Sequence, residues 1–179
     1  MSAWSIIPDH ERRSIWDRFD RRFSFHPSVE TFPGIREPTP SRTYFVGSAY
    51  GSSAHYFKIT EGFDDACLRV CSGISTPTGR VLALDWQHEC YYFNPLAHDG
   101  HWLIPPFPDG DYYIFLSESL DEGWFGHPWE QTVCIFGQRA ISSIEIDPPR
   151  LLAKPIRQNT HSSTLAAQIH NRGRTRRSI

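Results

Sequence analysis

The sequence predicts a single α+β domain, an antiparallel or mixed β-sheet with two or three helices and long proline-rich loops. Three observations predict it. Apolar residues recur at spacings of three and four in only two well-punctuated stretches, residues 9–23 and 62–72. Short aromatic and β-branched runs such as Cys90-Tyr91-Tyr92-Phe93 and Asp111-Tyr112-Tyr113-Ile114-Phe115 occupy much of the remainder and favour sheet. There is neither an internal repeat nor the strand-helix-strand alternation that a nucleotide-binding fold would show. A chain of 179 residues can bury a core without disulfides or a structural metal.

The first helix follows from Ile15, Trp16, Phe19 and Phe23 on one face, with Arg12, Arg13, Asp17, Arg18 and Arg21 left for water. Asp9, after Pro8, is the expected N-cap, and Asp9 and Glu11 suit the positive end of the helix dipole. Residues 26–41 carry four prolines after His26, at Pro27, Pro33, Pro38 and Pro40, each removing a backbone donor, so an extended loop wraps the domain there. Residues 43–50 and 55–60 read as two strands of a hairpin around Gly51-Ser52-Ser53. The second helix is marked by Phe63, Ala66, Cys67, Val70 and Cys71, with Asp64 and Asp65 in its first turn and Gly73 at its end.

Residues 80–86 and 89–93 read as strands separated by Gln87-His88, and 94–110 as a polar, proline-rich connection ending in an Asp109-Gly110 turn. Residues 107–137 form the centre of the fold in this reading. A strand at 111–118 and its antiparallel partner at 131–136 flank a loop carrying Trp124, Phe125, His127, Pro128, Trp129, Glu130 and Gln131. Residues 139–146 read as a short helix or strand. Pro148-Pro149 then closes the domain at 1–150, and 151–179 is expected to be a basic, flexible tail, mobile from Lys154 onward.

Charge divides along the same line. Residues 1–147 hold all 20 acids against 11 Lys and Arg, a net −9, whereas 148–179 hold 7 Lys and Arg and no acid. An acidic body repels nucleic acid and attracts basic partners. The arginines of residues 172–177 can add at most weak, non-specific phosphate contact, because no aromatic platform or folded basic face accompanies them. The N-terminus lacks the basic and apolar regions of a secretory signal, and no run approaches the roughly 20 apolar residues of a membrane span, so a cytoplasmic location and no membrane partner are expected. In that compartment Cys67, Cys71, Cys90 and Cys134 stay reduced as structural thiols.

The chemistry-bearing residues fall in two groups, Asp85-Trp86-Gln87-His88 and His127-Pro128-Trp129-Glu130-Gln131, with Asn94 and His98-Asp99-Gly100-His101-Trp102 between them. Asp85 and His88 end one strand while His127 and Glu130 precede another, so the two groups can meet at one edge of the sheet. Imidazole and carboxylate together suit a divalent metal or acid and base chemistry near neutral pH. The alternative is structural, with both histidines pinning loops. No spacing matches a metal motif, no cofactor is called for, and neither G-x-S-x-G nor a P-loop is present. A protein-binding surface would draw on Trp86, His88, Tyr92, Trp102, Trp124, His127 and Trp129, since Trp and Tyr dominate interface energies; aromatics filling a small core explain the same residues.

Several runs in order resemble a known family. These are Trp16-Asp17-Arg18-Phe19-Asp20-Arg21-Arg22-Phe23-Ser24-Phe25-His26-Pro27-Ser28, Gly34-Ile35-Arg36-Glu37-Pro38, Leu82-Ala83-Leu84-Asp85-Trp86-Gln87-His88, Phe107-Pro108-Asp109-Gly110-Asp111-Tyr112 and Phe125-Gly126-His127-Pro128-Trp129-Glu130-Gln131. Together they resemble the bacterial domain of unknown function 2716 over most of residues 14–137. The resemblance implies no activity, cofactor or catalytic set. Its small, single-domain, cytoplasmic character is similar to that of bacterial immunity and antitoxin proteins. The expectation is therefore a cytoplasmic, non-enzymatic module of that type, covering a basic protein partner with an acidic, aromatic-rich surface. The alternative is a small metal-dependent enzyme using Asp85, His88, His127 and Glu130.

Overall fold

Eight strands hydrogen-bond into one sheet in the computed structural model, which describes residues 2–50, 56–77 and 79–160. In chain order the elements are β1 (Trp4–Ile6), α1 (Asp9–Phe23), β2 (Ser41–Phe45), α2 (Tyr56–Ile59), α3 (Phe63–Ile74), β3 (Val81–Asp85), β4 (Tyr91–Phe93), β5 (Tyr113–Leu116), β6 (Gly123–His127), β7 (Thr132–Phe136), α4 (Gln138–Glu145) and β8 (Arg157–Asn159). The strand order is β1-β4-β3-β5-β6-β7-β2-β8, and every neighbouring pair is antiparallel. The fold is thus α+β, with a wholly antiparallel sheet and, among the described residues, four helices, one of them a single turn.

Both faces of the central strands are covered, because successive residues of a strand point to opposite sides. Val81 and Ala83 of β3, Phe115 of β5, Trp124 of β6 and Val133 and Ile135 of β7 join a core with α3 and α4. Leu82 and Leu84, Ile114 and Leu116, Phe125, Cys134 and Phe136 join a second core with Ile15, Phe19 and Phe23 of α1. Each fully buried Phe of these cores contributes roughly 1.5–3 kcal/mol. The helix-sheet-helix sandwich explains why β3, β6 and β7 are buried at every position.

α1 spans the predicted residues, but Asp9 is its first helical residue and not its cap. Pro8 takes the N-cap place with no side-chain bond, and Asp9 instead pairs with Arg12 at 2.9 Å. α3 runs past Gly73, which lies where α3 packs on α4; a Cβ there would meet the Ser143 hydroxyl and force it to turn. That glycine serves a close helix approach and does not end the helix.

Three expectations fail. The hairpin of 43–50 with 55–60 does not form: β2 pairs with β7 and β8, and Tyr56, Phe57 and Ile59 belong to α2, a short apolar run whose type periodicity alone does not decide. The proposed Gly51-Ser52-Ser53 turn lies outside the described residues. The loop expected between the strands at 111–118 and 131–136 contains the central strand β6, paired to β5 on one side and β7 on the other. Its glycines concealed it. A Cβ on Gly123 would lie 2.6 Å from the Phe115 carbonyl oxygen and from Leu116, so only glycine permits that packing.

Thirdly, the chain does not leave the domain at 150. Leu151 and Leu152 are buried, and β8 adds an edge strand to β2 with Arg157 opposite Thr43. The described part carries 14 Lys and Arg against 20 acids, a net −6 in place of −9. Residues 161–179, including the arginines at 172–177, lie outside the described residues. No helix of the described residues is long and apolar enough to cross a membrane.

Candidate functional site

The antiparallel order brings the C-terminal ends of β3 and β6 and the N-terminal ends of β5 and β7 to one end of the sheet. The register sets Asp85 opposite Tyr113 and His127 opposite Thr132. Tyr112, one residue before β5, therefore stands between the two groups that carry the chemistry. Its ring centre lies 5.7 Å from that of Trp86, 4.7 Å from His127 and 5.2 Å from Trp129. The proline-rich segment closes over it, with the Ser28 N–H donating to the Tyr112 hydroxyl at 3.0 Å.

On the β3 side, His88 Nδ1 lies 2.9 Å from Asp85 Oδ1 and 3.9 Å from Asp111 Oδ2. One ligand atom from each of the three falls within 4.8 Å of the others. Asp85 and Asp111 are buried, whereas the His88 side chain is 70% exposed. Backbone amides orient the carboxylates: Gln87 N–H donates to Asp85 Oδ1 at 3.3 Å and Tyr112 N–H to Asp111 Oδ1 at 2.7 Å. Desolvation and, secondarily, the charge of Asp85 push the Asp111 carboxyl above its ordinary pKa, opposed by the Tyr112 amide and His88. The hydrogen bond to Asp85, and then that residue's charge, raise the pKa of His88.

A cleft of about 440 Å³ opens beside this cluster, lined by Asp85, His88, Glu89 and Arg12 with Tyr91, Leu103 and Ile104 as its apolar walls. Among the described residues neither Asp85 nor Asp111 forms an ion pair with a Lys or Arg; the only cation either meets is His88 when protonated.

The β6 side holds the same residue types in a closed state. His127 is buried, its Nδ1 accepts the Glu130 N–H at 3.2 Å, and its Nε2 lies 3.5 Å from the Tyr112 hydroxyl. Burial lowers its pKa to about 4, outweighing the opposite pull of Glu130, so the imidazole is neutral at pH 7. Glu130 is held by Arg157, with Nη1 donating to Oε1 at 2.5 Å and Nη2 to Oε2 at 3.0 Å. The same guanidinium donates to Glu37 at 2.7 and 3.0 Å, while Thr132 adds a bond to Glu130 at 2.9 Å. This network ties β8 to the proline-rich segment and to the turn after β6.

The four candidates Asp85, His88, His127 and Glu130 thus reach one end of the sheet as two separate pairs. Asp85 and His88 are joined, and the structure adds Asp111 to them; His127 and Glu130 are joined through a backbone amide and engaged in holding the turn. Of the aromatic candidates, Trp86 and Trp129 are 36% and 38% exposed and flank Tyr112. Trp124 is wholly buried, with its indole N–H donating to the Pro106 carbonyl at 3.2 Å. Trp102 packs among Trp4, Phe93 and His98, and Tyr92 donates to Glu11 beneath the Arg80 guanidinium, 4.0 Å from its ring centre. Trp86, His88 and Trp129 therefore remain as exposed candidates at this end.

Asp111 and Arg157 carry no signal in the sequence of their own. Asp111 opens the strand expected at 111–118, and Arg157 lies in the segment expected to be a tail; only strand pairing brings each to its partner.

A family model described as "Protein of unknown function (DUF2716)" matches residues 6–141. That match runs from the last residue of β1 into α4 and stops short of β8. The chain is also 30% identical over 159 residues to the "Uncharacterized protein YxiI" of Bacillus subtilis (strain 168), covering 84% of this chain and 98% of that protein. No solved structure matches.

Proposed function

The chain belongs to the DUF2716 family, and from that premise we propose that it is a cytoplasmic binding module of the immunity or antitoxin type, which covers a basic protein partner with the Trp86–Trp129 end of its sheet. One observation carries the reading: two tryptophans more than a third exposed flank a buried tyrosine, beside two buried carboxylates that no Lys or Arg of the described residues neutralises. Exposed tryptophans on a rigid support are the residues that concentrate interface energy. The unneutralised acids and the net −6 of the described residues favour a basic partner through encounter rate and specificity.

Co-expression of the full chain with the products of its neighbouring reading frames tests this. The expected result is a stoichiometric complex with one basic protein that dissociates as salt rises and is lost on combining Trp86→Ala with Trp129→Ala. A complex indifferent to salt and to both substitutions, or no complex at all, overturns it.

The convergence of Asp85, His88 and Asp111 favours a second reading, a divalent-cation site in a small enzyme. Two carboxylates and an imidazole are a ligand set for manganese, iron or zinc and leave positions for water or substrate. His127 and Glu130 have no part in it, since both are engaged in the turn. Stoichiometric manganese or zinc by calorimetry, abolished by combining Asp85→Asn with Asp111→Asn, supports this reading; no heat with either metal removes it.

A further inference from the structure

The cleft beside β3 has a composition that selects for one kind of occupant. Its walls are Leu103, 44% exposed, with Ile104 and Tyr91, while Asp85 and Glu89 supply negative charge and Asp111 stands next to Asp85. The Lys or Arg among the lining residues is Arg12, whose Nη2 is already paired to Asp9 at 2.9 Å. Apolar walls leading to carboxylates that pair with no Lys or Arg among the described residues match a long aliphatic stem ending in a cation. The volume of about 440 Å³ lies at the lower end of ligand pockets and suits a side chain more than a folded cofactor.

We infer that this cleft is the receptor for a single arginine side chain of the partner, its stem lying on Leu103 and Tyr91 and its guanidinium reaching Asp85. Arginine fits better than lysine because the planar guanidinium can bond two carboxylate oxygens at once and keeps its hydrogen bonds with less desolvation than an ammonium. The Asp85 carboxylate is prepared for this role. The Gln87 amide and the His88 ring fix its Oδ1, and the carboxylate sits at the end of a strand held on both sides by β4 and β5. This inference rests on the binding-module reading and deepens it, since it assigns the basic partner a particular contact.

The test uses the full chain and two short blocked peptides of glycine, one with a central arginine and the other with citrulline, its neutral near-isostere. Resonances of the Leu103 methyls and the His88 ring are followed by NMR at low salt. The arginine peptide is expected to shift both, the citrulline peptide neither, and Asp85→Asn to weaken the effect by at least about tenfold, the loss of a charge-assisted bond. Glu89→Gln, on the exposed rim, provides a second and smaller loss if Asp85→Asn disturbs folding. Equal shifts with both peptides overturn the inference, as do shifts that survive Asp85→Asn. If the arginine peptide leaves Leu103 and His88 unmoved while hexa-arginine perturbs Trp86 or Trp129, the cleft is wrong and the basic-partner reading stands. If hexa-arginine binds nowhere, the inference fails, and the co-expression result decides the broader reading on its own.

Discussion

Two clusters at one end of the sheet contain the same ingredients, acids and a histidine, in opposite states. Around Arg157 two half-buried glutamates share one guanidinium, and a neutral His127 accepts a backbone amide. Around His88 two buried aspartates face each other with no Lys or Arg from the described residues, and the histidine stands in solvent. The first cluster is closed and holds chain segments together. The second is electrostatically incomplete and borders a cleft. Residue type therefore says little about environment in this protein; charge balance and accessibility separate a closed structural clasp from an open, unpaired acidic cluster.

The largest effect that would sharpen this contrast is expected at Arg157. Arg157→Ala leaves the half-buried Glu37 and Glu130 without a counter-ion and should cost about 3 kcal/mol in urea denaturation. Asp85→Asn, on the open side, should stay within about 1 kcal/mol of the parent. Comparable losses at the two sites would erase the distinction between the closed and the open cluster.

The next effect concerns pH. His127 has a folded pKa of about 4 against 6.5 in the unfolded chain, so its contribution is present above 6.5 and is lost as pH falls to about 4. Integrated over that window the loss is about 3 kcal/mol. His127→Gln should flatten the stability curve there. The exposed His88 has a raised folded pKa, so the favourable term from its protonated form is full below the unfolded value and disappears as pH rises through the folded one. An NMR titration should find the two histidines displaced in opposite directions, and displacement of both the same way would break the comparison.

The smallest effect is expected at Asp111. Its carboxyl pKa is raised, so its ionised form is a liability that grows as pH climbs through the folded pKa. Asp111→Asn keeps the acceptor for the Tyr112 amide and should be neutral or stabilising by up to about 1 kcal/mol at pH 7, by removing the desolvation penalty of the charge and then its repulsion with Asp85. Clear destabilisation in thermal melts would show that the pair is balanced in some way other than the one described.

Local pattern made part of this legible. α1, α3, β3, β4 and β7 were readable because a face repeating every three to four residues, or a run of β-branched and aromatic residues, is written in neighbouring positions. The Asp85–His88 pair was readable for the same reason, both residues lying in one short turn. β6 was not, since Gly123 and Gly126 imitate a loop where close packing requires them. β8 was not, since Arg157-Gln158-Asn159 has no apolar pattern and is a strand only by pairing with β2. Asp111 and Arg157 depended on contacts across 26 and 27 positions, with Asp85 and Glu130 respectively.

By itself the sequence determined the class of the protein, its family and the inventory of titratable groups at this end of the sheet, because composition, periodicity and ordered motifs are properties of the chain. Tertiary structure decided which of those groups are already satisfied. Strand order and register set Arg157 against Glu130 and Asp111 against Asp85, and partner choice, not residue type, leaves one cluster closed and the other open.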